Sequence, residues 1–399
     1  MEIFVRRGLG IALLALASGC AAAGQPRPVP NSATRTSAFS VPRTVITPER
    51  AASIPELYQH AVALSEKGAH AEAALEFLRV YELDPEGELA DDALFQCASE
   101  RDQSGALESA ALGYEQLARR YPKSELTAAA LVRATRLFAR LDQWRRAGEL
   151  AERALSSQRA LGPLELITVY SASALSRLEQ GDERAAESFI EKGRALIDQY
   201  QLDAAGRLPL ELAPLYFSLG ELRRRRAERI VFEPLPPNFA DALERRCQLL
   251  LDAHSAYSDA MRAYDVHFSA IAGYRVGELY ERLHTDVMRV TPPTSADTAE
   301  KRQLFEAAMR LRYAVLLDKA RQFMEHTLGW VERNGEHSPW VEKTHEAIAD
   351  IREASRREEA ALKALPYPRA TVEAALADLQ RRTEEKEKRA GHLAPHSGP

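Results

Sequence analysis

The feature that most constrains this 399-residue chain is an internal spacing of 37 residues. Gly68, Gly105 and Asp142 stand at that step, as do Ala73, Ala110 and Ala147. Leu57, Leu94 and Leu131 share it, and so do Val80, Leu117 and Ala154. Phe77, Tyr114 and Ala151 follow in the same register, and Pro85 and Pro122 share one offset. A fourth set, Ala174, Gly181, Ala186 and Ile190, comes at a slightly longer step. A fixed period of this length marks a repeat array, in which each unit buries its apolar face only against its neighbours. Slim residues at fixed places let the two helices of a unit approach closely, where a large side chain would force them apart. Gly or Asp permits a tight turn between them. The proline ends the second helix, because it lacks an N–H and clashes with the preceding turn. A generic helical bundle gives no reason for so many columns to share one step.

These columns resemble the tetratricopeptide repeat. Small residues occupy its eighth position (Ala61, Ala98, Thr135, Ala174) and its twentieth (Ala73, Ala110, Ala147, Ala186). Leu57, Leu94 and Leu131 take the place of the family's fourth-position tryptophan. The units are 37 residues long where the family's have about 34, which predicts slightly longer helices or turns. The resemblance implies an all-α fold, a helical-hairpin repeat solenoid (TPR-like superhelix) with an irregular C-terminal helical extension. Residue periodicity agrees: from about Ser53 onward helical spacing dominates, and Ile230-Val231-Phe232 is the one weak strand-like stretch.

In the family the first helices line a concave groove that holds an extended peptide or a partner helix. Carried onto this chain, the groove positions are Tyr58, Val62 and Glu66 in unit one and Phe95, Ser99, Asp102 and Gln103 in unit two. Unit three gives Val132, Arg136 and Arg140, and unit four Ser171 and Glu179. Arg136 and Arg140 are able to grip a carboxylate bidentately. The paired Lys and Asn of the family's carboxylate clamps are absent, so capture of a C-terminal peptide is not implied.

Before the repeats, Arg6 and Arg7 precede an apolar run from Leu9 to Ala17 and the small residues Ser18 and Gly19. This is the layout of a secretory signal, and the run is shorter than the ~20 residues needed to cross a bilayer. Leu16-Ala17-Ser18-Gly19-Cys20 is similar to the bacterial lipobox, with Leu16 one place earlier than usual. The resemblance implies cleavage before Cys20 and its acylation, palmitate included, by chains whose buried methylenes hold the protein to the membrane. Ala21 in place of Asp implies the outer membrane. Arg6-Arg7 leaves Sec and twin-arginine export both open, and an ordinary secretory signal is the alternative to lipidation. The expected divisions are 1–19 signal, 20–52 lipid-anchored tether, 53–203 about four repeats, 204–366 degenerate repeats with a long inserted helix, and 367–399 a charged helix and tail. The tether is rich in Pro, Ser, Thr and Ala and poor in large apolar residues. In the degenerate part, Leu219-Gly220 and Val276-Gly277 echo a first helix, one run extends from Phe239 towards Val290, and others cover Thr298–Arg333 and Trp340–Leu362.

Composition excludes little but is useful where it does. Charged residues make up 28% and the net charge is −5, which argues against nucleic-acid binding. No hydrolase elbow, zinc-protease motif or phosphate loop occurs in the folded part, so no catalytic residue, cofactor or metal is assigned. His337, Glu342 and His345 lack ligand spacing across Pro339. Cys97 and Cys247 are expected as free thiols, although a bridge is open to them in an oxidising compartment. The run Arg223, Arg224, Arg225 and Arg226 reads either as a contact for peptidoglycan or anionic lipid or as a solvated helix face partly neutralised by Glu221 and Glu228. The expectation is an outer-membrane scaffold, facing the periplasm, for envelope proteins of barrel assembly, motility or secretion. The alternatives are an enzyme acting on peptidoglycan through an acid pair in the C-terminal half, and a small-ligand lipoprotein with an enclosed apolar pocket.

Overall fold

A computed structural model describes residues 53–366 apart from 157–160, 205, 207, 237 and 295, and adds 370 and 372–374. Cys20, the signal, the tether up to residue 52 and the tail from 375 lie outside the described residues. The chain runs through α1 (Ile54–Glu66), α2 (His70–Leu83), α3 (Ala90–Gln103), α4 (Leu107–Arg120), α5 (Thr127–Arg140) and α6 (Trp144–Leu155). It continues through α7 (Pro163–Glu179), α8 (Glu183–Tyr200), α9 (Leu212–Glu228), α10 (Phe239–Arg262), α11 (Val266–Met288), α12 (Ala299–Arg333) and α13 (Pro339–Lys363). No strand occurs among the described residues. Each helix packs on the next, and the first helices of successive hairpins also touch, α5 with α7, α7 with α9, α9 with α11 and α11 with α13. The fold is an all-helical hairpin solenoid.

The repeat columns form its spine. The eighth-position residues Ala61, Ala98, Thr135 and Ala174 and the twentieth-position residues Ala73, Ala110, Ala147 and Ala186 are all fully buried. Gly68, Gly105 and Gly181 adopt positive φ in the turns inside units one, two and four. Asp142 does the same in unit three, at φ 58°, a conformation that Asp tolerates better than most side chains. Tyr114 and Phe138 belong to the core and are sealed from solvent. The Tyr121 hydroxyl donates to the Pro85 carbonyl, 2.6 Å away, tying one inter-unit turn to the last.

The hairpin rule extends past residue 204. Gly220 on α9 faces the Tyr257 ring on α10, and Gly277 on α11 faces Met324 on α12, each so close that an added Cβ would collide. These glycines keep the close approach that alanines keep in the first four units. The run from Phe239 towards Val290 is two helices rather than one. Tyr264 turns left-handed at φ 58°, and the Asp265 side chain caps α11 by accepting from the Phe268 N–H. Ile230-Val231-Phe232 is not a strand but part of the link between α9 and α10, with Phe232 buried edge-on against Phe239. One apolar core runs from Ile54 through units one to three into α7, and a larger one from Ile167 to Ile351.

The stack also folds back on itself. The Trp340 Nε1–H at the start of α13 donates to an Asp142 carboxylate oxygen, 2.6 Å away. His267, on α11, sits between Asp142 (3.5 Å) and Glu336 (3.7 Å). Arg140, at the end of α5, lies 3.9 Å from Asp265. Unit three is thereby joined to the α11–α12 hairpin and to the start of α13.

Candidate functional site

The fold-back shapes a cavity of about 170 Å³ on the inner side of the stack. First helices α3, α5 and α7 supply Asp102, Arg136, Leu137, Ala139, Arg140, Thr168 and Ser171. Leu210, Glu211 and Pro214 come from the start of α9, and Asp265 and Phe268 from the start of α11. Four successive units and a fifth turn converge there, and this is the place where a repeat solenoid concentrates its binding surface. The lining mixes charge with apolar surface. Phe268 is buried, while Leu210 is 47 % exposed.

The cavity charges are partly satisfied from within. Arg136 Nη2 pairs with Asp102 Oδ2 at 2.6 Å. Arg140 faces Asp265 more loosely. Thr168 and Ser171 turn their hydroxyls back onto their own helix, to the Leu164 carbonyl and to those of Ile167 and Thr168. Glu211 occupies the N-cap position of α9 without capping it. It is half-buried and has no hydrogen-bond or ion-pair partner among the described residues.

Of the groove residues expected from sequence, the structure brings together Asp102, Arg136, Arg140 and Ser171. The others serve packing or face solvent. The Tyr58 hydroxyl hydrogen-bonds Asp92 and its ring meets Phe77 edge-on at 5.2 Å. Burial, then the Asp92 carboxylate, pushes that hydroxyl well above its ordinary pKa. Val62 packs beside Phe77 and Cys97. Phe95 and Val132 belong to the core, and Arg133 stacks over Phe95 while donating to the hydroxyls of Tyr114 (3.0 Å) and Ser99 (3.4 Å). Glu66, Gln103 and Glu179 are exposed at helix ends. Thr168, Leu210, Glu211, Asp265 and Phe268 were not expected. Thr168 stands at a groove position of unit four that the expected set omitted, and the other four come from the starts of α9 and α11.

The arginine run is spent inside the chain. Arg223 donates to the Asp252 carbonyl (2.8 Å) and Arg225 to that of Leu178 (2.6 Å). Arg226 pairs with Glu187 at 2.7 Å. Arg224 is buried between Glu221 and Glu228. These residues clamp α9 to α8, α7 and α10. Glu221 anchors this core, holding Arg224 at 2.8 Å, Arg275 at 3.1 Å and the Tyr257 hydroxyl at 2.7 Å. Cys97 and Cys247 are free thiols, and burial pushes Cys97 up to about 11. His345 pairs with Glu332 at 2.8 Å. No cluster of metal-ligating side chains occurs among the described residues.

No protein-family model matches the chain, and no curated protein matches it. Among solved structures it is similar to a tetratricopeptide repeat protein from Parabacteroides merdae, at 13% identity and TM-score 0.38, covering 75% of this chain and 99% of that one. It is also similar to a circular tandem repeat protein with novel repeat topology, at 16% identity and TM-score 0.17, covering 86% and 92%.

Proposed function

We propose that this chain is a cell-envelope scaffold that holds a segment of a partner protein in its inner cavity. The observation that carries the reading is the convergence of α3, α5, α7, α9 and α11 on one partly apolar, partly charged recess. Such a recess suits a protruding side chain from another polypeptide, because apolar walls give contact area and a few charges set orientation. The sequence up to Cys20 supports attachment to the outer membrane through acyl chains at that residue, with the following segment as a tether. On this reading the partner belongs to an envelope assembly of the barrel-assembly, motility or secretion kind.

Placing a photo-crosslinking amino acid at Leu210, in the cavity wall, and at Leu75, exposed on α2, tests the reading in intact cells. A discrete adduct from Leu210 and none from Leu75 is expected. Equal labelling from both positions, or none from Leu210, contradicts it. Cys20→Ser is expected to move the protein from the membrane to the soluble fraction, and unchanged fractionation removes the anchor.

A further inference from the structure

Resting on that reading, we infer that the partner side chain in the cavity is basic, a lysine or an arginine, rather than the carboxylate that Arg136 and Arg140 first suggest. The cavity wall carries three carboxylates, Asp102, Glu211 and Asp265, against two guanidiniums, Arg136 and Arg140. Arg136 is held by Asp102 at 2.6 Å. Arg140 faces Asp265, and Asp265 is fixed in place by its cap on α11. The charge left over is Glu211, half-buried and unpartnered among the described residues. An incoming carboxylate would add a fourth negative charge and would have to displace Asp102 or Asp265. An incoming ammonium or guanidinium would complete the balance. The remaining surface fits the same occupant: Leu210, Pro214 and Phe268 offer apolar contact for a long aliphatic stem, and Lys and Arg bury such stems while keeping the charged head at a polar group. Glu211 sits at the N-terminus of α9, where a negative charge is favoured, so it stays available as the acceptor.

The test uses the full chain carrying Cys20→Ser, with leucine methyl groups labelled for NMR. The probes are three blocked amino acids, the N-acetyl methylamides of lysine, norleucine and glutamate. The lysine compound is expected to shift the methyl signals of Leu210 and Leu137 and to bind about fivefold more tightly than its uncharged norleucine counterpart, the worth of one partly screened ion pair. Glu211→Gln is expected to bring lysine down to the norleucine level without lowering the melting temperature. Equal binding of lysine and norleucine, tighter binding of glutamate, retention of the lysine preference in Glu211→Gln, or no shift with any probe overturns the inference. The Leu210 crosslink separates this result from the scaffold reading. An adduct whose partner segment contains no Lys or Arg sinks the basic anchor and leaves the scaffold standing, while absence of an adduct sinks the scaffold and leaves the NMR result to be judged on its own.

Discussion

Asp142 accepts a hydrogen bond from the indole of Trp340, 198 positions further along the chain. Asp142 occupies the tight turn of unit three, where three other units place glycine at positive φ. Backbone comfort favours glycine there, and the carboxylate is retained for what it holds. Asp142→Gly therefore separates the two effects. It relieves the left-handed backbone yet removes the acceptor of Trp340 and one of the two carboxylates beside His267. A net loss of about 1–3 kcal/mol is expected, the cost of leaving buried donors unpaired. Chemical denaturation measures it, and a gain in stability would show that the Asp142 contacts contribute nothing.

His267 makes the same junction depend on pH. Burial alone would lower its pKa, but Asp142 and Glu336 outweigh it and hold His267 at about 9, above the ordinary value of about 6.5. A group raised in the folded state gives its full stabilisation below the unfolded value and loses it as pH climbs through the folded one. Stability is expected to fall between about pH 6.5 and 9, by no more than about 3 kcal/mol. His267→Gln should flatten that decline. Denaturation midpoints across this range give the answer.

The Glu221 core behaves in the opposite sense. Burial would raise its carboxyl, but Arg275 and Arg224 hold it below the ordinary carboxylate value. Its stabilisation is present above that value and is lost as pH falls below it. Glu221→Gln leaves buried guanidiniums short of a counter-charge and is expected to cost about 3–5 kcal/mol at neutral pH, read as a drop in melting temperature.

Two helical glycines are expected to respond with opposite signs. A Cβ at Gly220 would meet the Tyr257 ring at 2.6 Å, and that ring is fixed by its bond to Glu221. Gly220→Ala should destabilise by about 1–3 kcal/mol. At Gly329 on α12 the added atom meets only the flexible end of Arg333, at 3.3 Å. Gly329→Ala should stabilise by about 0.5–1 kcal/mol through helix propensity. Thermal melts of the two variants check both.

The hairpins were legible in the sequence because close packing restricts side-chain size at fixed intervals. Ala61 and Ala73, Ala98 and Ala110 mark the spine in the sequence itself. Gly220 and Gly277 carry the signal further, but the strict step fails as helices lengthen, to 35 residues in α12. The break at Tyr264 escaped because neither Gly nor Pro marks it. The cavity was half legible. Asp102, Arg136 and Arg140 lie at regular groove positions, whereas Glu211 and Asp265 belong to helix starts, and Asp265 is brought in by the fold-back. That fold-back rests on single residues far apart in sequence, and no periodicity announces it. The arginine run's intrachain partners were hidden for a related reason, since Glu187, Asp252 and Leu178 come from other helices.

The solenoid closes through unit three onto α11 and the start of α13. Gln143→Cys with His337→Cys, in a chain carrying Cys97→Ala and Cys247→Ala, places one thiol beside each half of that junction. A short bis-maleimide should join them within a single folded chain, giving a faster-migrating monomer and a linked peptide pair by mass spectrometry. A helical, monomeric protein in which both thiols react but never join to each other would contradict it.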